Sequence, residues 1–163
     1  MATVRDVSSK LDSIDIALIE ALQANARTPI AELGRKVGLS QPAASERVRR
    51  LEDIGVIVGY GVRLDPAALG LATEVSMRVR TSFDRFRPCV EHLKGVPEVV
   101  QLRRLTGEEC LDLTVRLPDT VALEAVIDDI GRFGDVRTAV VLHAEPPKPL
   151  GRTLIRGCGA RRA

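Results

Sequence analysis

Apolar positions in the first third of the chain fall three and four residues apart. Ile14, Ala17, Leu18, Ala21 and Leu22 form one stripe of an amphipathic helix. Ile30, Leu33 and Val37 mark a second helix, opened by Thr28 as cap with Pro29 at the first helical position and closed by Gly38. Ser40 caps a third, from Gln41 to Ile54, with Gly55 as its stop. A period of two then replaces the helical one. Val56, Ile57, Val58, Tyr60, Val62 and Leu64 read as a strand interrupted by Gly59 and Gly61, either a wing or a connection. Further on, the pattern predicts strands at 74–80, 99–105, 110–117 and 136–143. Two helices lie between them, one carrying Phe86, Val90 and Leu93, the other Leu123, Val126, Ile127, Ile130 and Phe133.

The order βαββαβ is that of a ferredoxin-like split sheet with both helices on one face. The fold class expected is therefore α+β. A helix-turn-helix unit of winged type spans 1–55, a strand linker 56–70, the βαββαβ domain 71–145, and a basic, flexible tail 146–163. Helices cover one side of the sheet only. The alternation leads us to expect some apolar surface on the open side, and dimerisation through this domain.

The third helix decides what the first unit does. Ala44, Val48 and Leu51 share one narrow stripe. Ser45, Glu46, Arg49 and Arg50 lie opposite, with Arg47 on the flank. A core stripe backed by arginines suits a recognition helix in the DNA major groove, where guanidinium groups reach guanine edges or phosphates. An ordinary three-helix bundle with a solvated charged face shares the pattern, and Glu46, Glu52 and Asp53 offset part of the charge.

Charge and composition narrow the choice. The 163 residues carry a formal charge of +2. That sum hides +1 over residues 1–63, −4 over 64–146 and +5 over 147–163, so contact with nucleic acid must come from local faces. The four aromatics are Tyr60, Phe83, Phe86 and Phe133. None falls on the two strands at 99–105 and 110–117. That excludes the base-stacking platform of RNA-recognition modules, which share the βαββαβ order. No apolar run is long enough for a membrane span, and residues 1–10 lack the apolar core of a secretory signal. With three cysteines and no CxxC pair, the expectation is a cytoplasmic protein with free thiols and no metal site. His92 and His143 show no ligand spacing. No nucleotide, hydrolase or metalloprotease motif occurs. Glu108, Glu109 and Cys110 form a cluster, but acids flanking a thiol are not the electropositive setting of a reactive thiolate. No enzyme and no cofactor is expected.

Several segments together resemble the Lrp/AsnC (feast/famine) regulators. They are Leu11-Asp12-Ser13-Ile14-Asp15, Leu18 to Arg27, Ile30-Ala31-Glu32-Leu33, Val37-Gly38-Leu39-Ser40, Arg47 to Glu52, Gly55-Val56-Ile57 and Gly59-Tyr60. The resemblance covers about residues 11–145. It implies an N-terminal helix-turn-helix joined by a strand to a RAM/ACT-like sensing domain. It further implies homodimers, often built into octamers, whose binding to double-stranded DNA responds to a small-molecule effector, usually an amino acid. Carried over residue by residue, it places DNA contacts at Ser40, Gln41, Ser45, Arg47, Arg49 and Arg50, to which the exposed Glu46 is added. The effector site falls on the hairpin Leu105-Thr106-Gly107-Glu108-Glu109-Cys110-Leu111. The family pattern Gly-Asp-x-Asp followed by an aromatic is altered there: Glu108 follows Gly107, Cys110 replaces an aspartate and Leu111 a tyrosine. This departure and the basic tail leave a second reading, an effector-independent architectural DNA-organising protein.

Overall fold

The computed structural model describes residues 11–155. Cys158 and the arginines at 156, 161 and 162 of the basic tail, and the first ten residues, lie outside them. The chain divides into two compact units. One runs through Val62 and resumes at Pro146, and the other comprises Arg63–Glu145.

The first unit is built on α1 (Ser13–Ala24), α2 (Ile30–Val37) and α3 (Gln41–Asp53). Asp12 starts α1 with a reciprocal capping box. Its carboxylate accepts from the Ile14 and Asp15 amides, and the Asp15 carboxylate accepts from the Asp12 amide. Leu18, Leu33 and Val48 meet in the core, with Ile14, Leu22, Ile30 and Val37 packed round them. Thr28 does not cap α2 as expected. Its hydroxyl donates to the Asn25 carbonyl, closing the turn after α1, and Pro29 itself takes the cap position.

The strand expected between 56 and 65 does not form. A lone strand leaves its backbone groups without partners. Val58 is 94% exposed, Val62 and Leu64 are also exposed, and the linker's one regular feature is a 3-10 turn at Ala67–Leu69. The first unit is thus a helix-turn-helix without a wing strand among the described residues. Nor is all of the tail a free extension. The Leu150 amide and carbonyl bond reciprocally to the Gln23 side chain at 2.8 and 3.0 Å. Arg152 meets Glu20 through both its amide and its guanidinium, and residues 152–155 form one helical turn.

The second unit has the predicted order: β1 (Thr73–Thr81), α4 (Phe83–Lys94), β2 (Val99–Arg104), β3 (Leu111–Leu117), α5 (Leu123–Gly131) and β4 (Gly134–Val140). The strands lie β2-β3-β1-β4, all antiparallel. Val75, Met77 and Val79 of β1 and Leu111, Leu113, Val115 and Leu117 of β3 face the helices. They close a core with Cys89 and Leu93 of α4 and Val126 and Ile130 of α5. β4 starts and ends earlier than its apolar run suggests. Its register begins with Gly134 opposite Thr81, and Leu142 is 96% exposed.

The open sheet face overturns the expectation of apolar surface. The alternation is so complete that nearly every apolar side chain goes to the helices. Glu74, Ser76, Arg78 and Arg80 of β1 stand beside Arg116, Thr114 and Asp112 of β3 and Ala139, Arg137 and Asp135 of β4. Ion pairs Arg116–Glu74 and Arg103–Asp112 cross between strands. On an amphipathic helix such as α5, the polar pair Asp128-Asp129 is expected to face solvent. Instead, Asp129 accepts from Arg132 and meets His92 Nε2 of α4 at 2.5 Å. The His92 hydrogen bond comes first among the causes that hold this carboxyl below its ordinary value. The His92 ring also packs on Phe133, with centroids 5.0 Å apart.

Candidate nucleic-acid interface and effector hairpin

The α2–α3 angle depends on two glycines. Gly38 takes the left-handed conformation (φ 73°) that ends α2, and the Leu39 amide then returns to the Gly34 carbonyl at 2.8 Å. Gly34 lies where the turn crosses back over α2. A methyl group there would sit 2.7 Å from the Leu39 carbonyl oxygen. The Ser40 hydroxyl accepts from the Ala43 amide and starts α3, whose Ala44, Val48 and Leu51 are buried.

The opposite side of α3 is divided in two. Gln41, Ser45, Glu46 and Arg49 are exposed, with the Arg49 side chain 82% accessible and only 4.0 Å contact to Asp53. Arg47 and Arg50 are not free in the same way, because both turn towards α1. Arg47 Nη1 lies 2.6 Å from Asp12 Oδ2 and 3.0 Å from Asp15 Oδ1, and Arg50 Nη2 lies 2.5 Å from Asp15 Oδ2. The Asp15 side chain is fully buried. The Asp12 carboxyl is pulled below its ordinary value, chiefly by the Asp15 amide and then by Arg47. The sequence alone did not point to Asp12 and Asp15, because their proximity to α3 becomes visible only once the helices pack.

In the second unit the β2–β3 turn closes with the Leu105 amide donating to the Cys110 carbonyl at 2.8 Å, and Gly107 takes φ 103°. Leu105, Thr106, Glu108 and Glu109 line a cleft of about 460 Å3 on the open sheet side. Its other wall is arginine-rich. Glu109 bridges Arg78 and Arg137, each at 3.1 Å, and Glu108 pairs with Arg80 at 3.4 Å. Reading the hairpin alone missed these three arginines, although the alternation of β1 already put Arg78 and Arg80 on one face. Gly107 and Cys110 border a different groove, with Phe83, Phe86 and Arg104. Arg104 stacks on the Phe86 ring at 4.5 Å. Leu111 belongs to the core and reaches neither groove.

Burial pushes the Cys89 thiol up to about 11, the reverse of an activated nucleophile. Among the described residues no three His, Cys, Asp or Glu side chains cluster as metal ligands, and no helix is long and apolar enough to cross a membrane.

Comparison with known proteins adds to this geometry. Residues 11–52 match the model of the AsnC-type helix-turn-helix domain, and residues 74–149 that of the Lrp/AsnC ligand binding domain. The chain is 33% identical over 135 residues to the HTH-type transcriptional regulator LrpC of Bacillus subtilis, covering 81% of this chain and 92% of that one. It is 35% identical over 134 residues to LrpA of Mycobacterium tuberculosis, covering 81% and 89%. The solved structure of B. subtilis LrpC superposes with a TM-score of 0.80 at 29% identity, covering 85% of this chain and 99% of that one. A regulator from Neisseria meningitidis, solved as its L-Met complex, gives 0.78 at 28% identity, covering 86% and 97%. These relatives are regulators rather than enzymes. The ligand-binding match weighs against an effector-independent architectural role. The chain belongs to the Lrp/AsnC family of DNA-binding transcriptional regulators.

Proposed function

We propose that this regulator reads double-stranded DNA through the exposed half of α3, and that its affinity is set by an amino-acid effector held at the β2–β3 hairpin. The observation that carries the first part is the solvent-facing row of Gln41, Ser45 and Arg49. It sits on a helix whose opposite stripe is fully buried. Ser40 and Glu46 flank that row, while Arg47 and Arg50 border it from the α1 side. Arg49 offers the bidentate donors that guanine or phosphate accepts. For the effector, the hairpin cleft supplies carboxylates and guanidinium groups in alternation, the complement of a zwitterion. The L-Met complex of the Neisseria relative supports this class of ligand. The protein acts without enzymatic activity, in the cytoplasm, as a homodimer that assembles further, to an octamer in this family's usual manner. A two-fold dimer presents two recognition helices to half-sites about 34 Å apart, or a multiple of that.

The experiment is a DNA titration by fluorescence anisotropy, with and without each amino acid. Arg49→Ala should weaken binding by tenfold or more, the equivalent of about 1–3 kcal/mol for a bidentate contact, while the oligomer seen by light scattering is unchanged. Unaltered affinity sinks the α3 assignment. Titrations that superimpose in every amino acid sink the effector assignment.

A further inference from the structure

The acidic start of α1 has no part in the DNA contacts proposed above, yet it holds two arginines of the reading helix. Asp15 is fully buried, which for a carboxylate demands charged or hydrogen-bonding partners. It has three. The Asp12 amide donates to Oδ2, Arg50 Nη2 donates to the same oxygen, and Arg47 Nη1 donates to Oδ1. Asp12 takes a second hydrogen bond from Arg47 Nη1 at 2.6 Å. Both guanidinium groups keep some exposure, with side chains 30% and 40% accessible. They lie at the edge of the DNA-facing row but are tied from behind. Every bond in this set joins α1 to α3, apart from those within the capping box.

We infer that Asp15, with Asp12, is a positioning and specificity-determining residue of the DNA-reading surface: it withholds Arg47 and Arg50 from indiscriminate phosphate contact and fixes them at the rim of α3. The inference rests on α3 being the DNA-reading helix. The physical reason is competition. Phosphates attract any free guanidinium whatever the base sequence, and each such contact strengthens non-specific binding. An arginine already neutralised by a buried carboxylate gains less from a phosphate, so affinity depends more on Gln41, Ser45 and Arg49. The reading surface is correspondingly less cationic than the sequence of α3 suggests. Arg49 alone among its three arginines is both exposed and paired only loosely, to Asp53.

The counterion-release slope tests this directly, because a purely structural role would not move it. The probe is a random-sequence duplex, titrated across a series of salt concentrations with the full-length wild type and with Asp15→Asn. The asparagine keeps the shape and removes the charge. The slope of log K against log salt should become steeper by about 0.9 for each guanidinium that gains a phosphate. Affinity for the random duplex at low salt should rise several-fold. Asp12→Asn, at an exposed position, gives a smaller change of the same sign and serves if Asp15→Asn does not fold. A folded variant with the wild-type slope overturns the clamp. Wild-type protein whose binding shows no salt dependence at all overturns the α3 reading on which the clamp rests.

Discussion

Gly34 shows how a single hydrogen atom in place of a methyl group sets the geometry of the DNA-binding unit. In a helix interior, alanine is favoured over glycine by about 1 kcal/mol. Here that gain is opposed by the Leu39 carbonyl oxygen, 2.7 Å from where the methyl would stand. The obstacle is backbone, and the Leu39 amide is itself hydrogen-bonded to Gly34, so the turn has little room to retreat. Overpacking of this kind costs roughly 1–3 kcal/mol. Gly34→Ala is therefore expected to lose about 1 kcal/mol net in urea denaturation, and to weaken DNA binding by tilting α3. Gain of stability would show that the turn can shift freely. The sequence points to Gly38 as a helix stop, since a glycine after an apolar period is a local signal. It says nothing of this role for Gly34, which depends on a turn folding back across the helix. Asp15 was equally silent: it reads as a capping-box residue, and only packing brings two arginines to it.

At the scale of elements, helices and strands were legible wherever the period of apolar residues was decided by burial against one layer. β1 and β3 follow this rule, and so do α3 and both helices of the second unit; α1 follows it only in part, since Asp15 and Ile16, off its apolar stripe, are buried as well as Leu18. The rule failed at 56–65, where the residue types are those of a strand but no neighbouring strand exists to bond them. It failed at the end of β4, where the most apolar residues, Val140 to Leu142, lie past or at the last paired position. The β2–β3 hairpin was legible as a turn, and the family resemblance pointed to it as the candidate effector site, but its cleft was not legible, because half of it comes from β1 and β4. A contact between elements also carries a pH dependence. Asp129 of α5 is held below its ordinary value of 3.8 mainly by the hydrogen bond from His92 of α4. A carboxylate with a depressed value stabilises the fold above its unfolded value, and that contribution disappears as pH falls through the folded one. Asp129→Asn should therefore melt below wild type at pH 6. The two melting temperatures should draw together as pH drops below about 4. A difference that stays constant down to pH 2.5 would show that the loss is steric rather than electrostatic.

In the whole molecule the first unit is discontinuous in sequence, since the chain leaves it at Val62 and re-enters it at Pro146. Leu150 and Arg152 then add hydrogen bonds and an ion pair to the outer face of α1. These contacts are solvent-exposed, so each contributes at the low end of the 0.5–1.5 kcal/mol range. Truncation after Lys148 should lower the stability of the helix-turn-helix unit by about 1 kcal/mol and leave the second unit's transition unchanged. Calorimetry would resolve the two, and coincident loss in both would refute the assignment of the tail to the first unit. The tail's proline, glycine and arginine content gave no hint of this, because its partners are the exposed polar residues Glu20 and Gln23. The order of attachment also bears on how the protein is made. Domains of a growing chain generally fold as they emerge, the N-terminal one first. Here α1 leaves the ribosome more than a hundred residues ahead of the segment that binds it. The DNA-reading unit is begun first and completed last, so a chain released early bears recognition helices that lack their final brace.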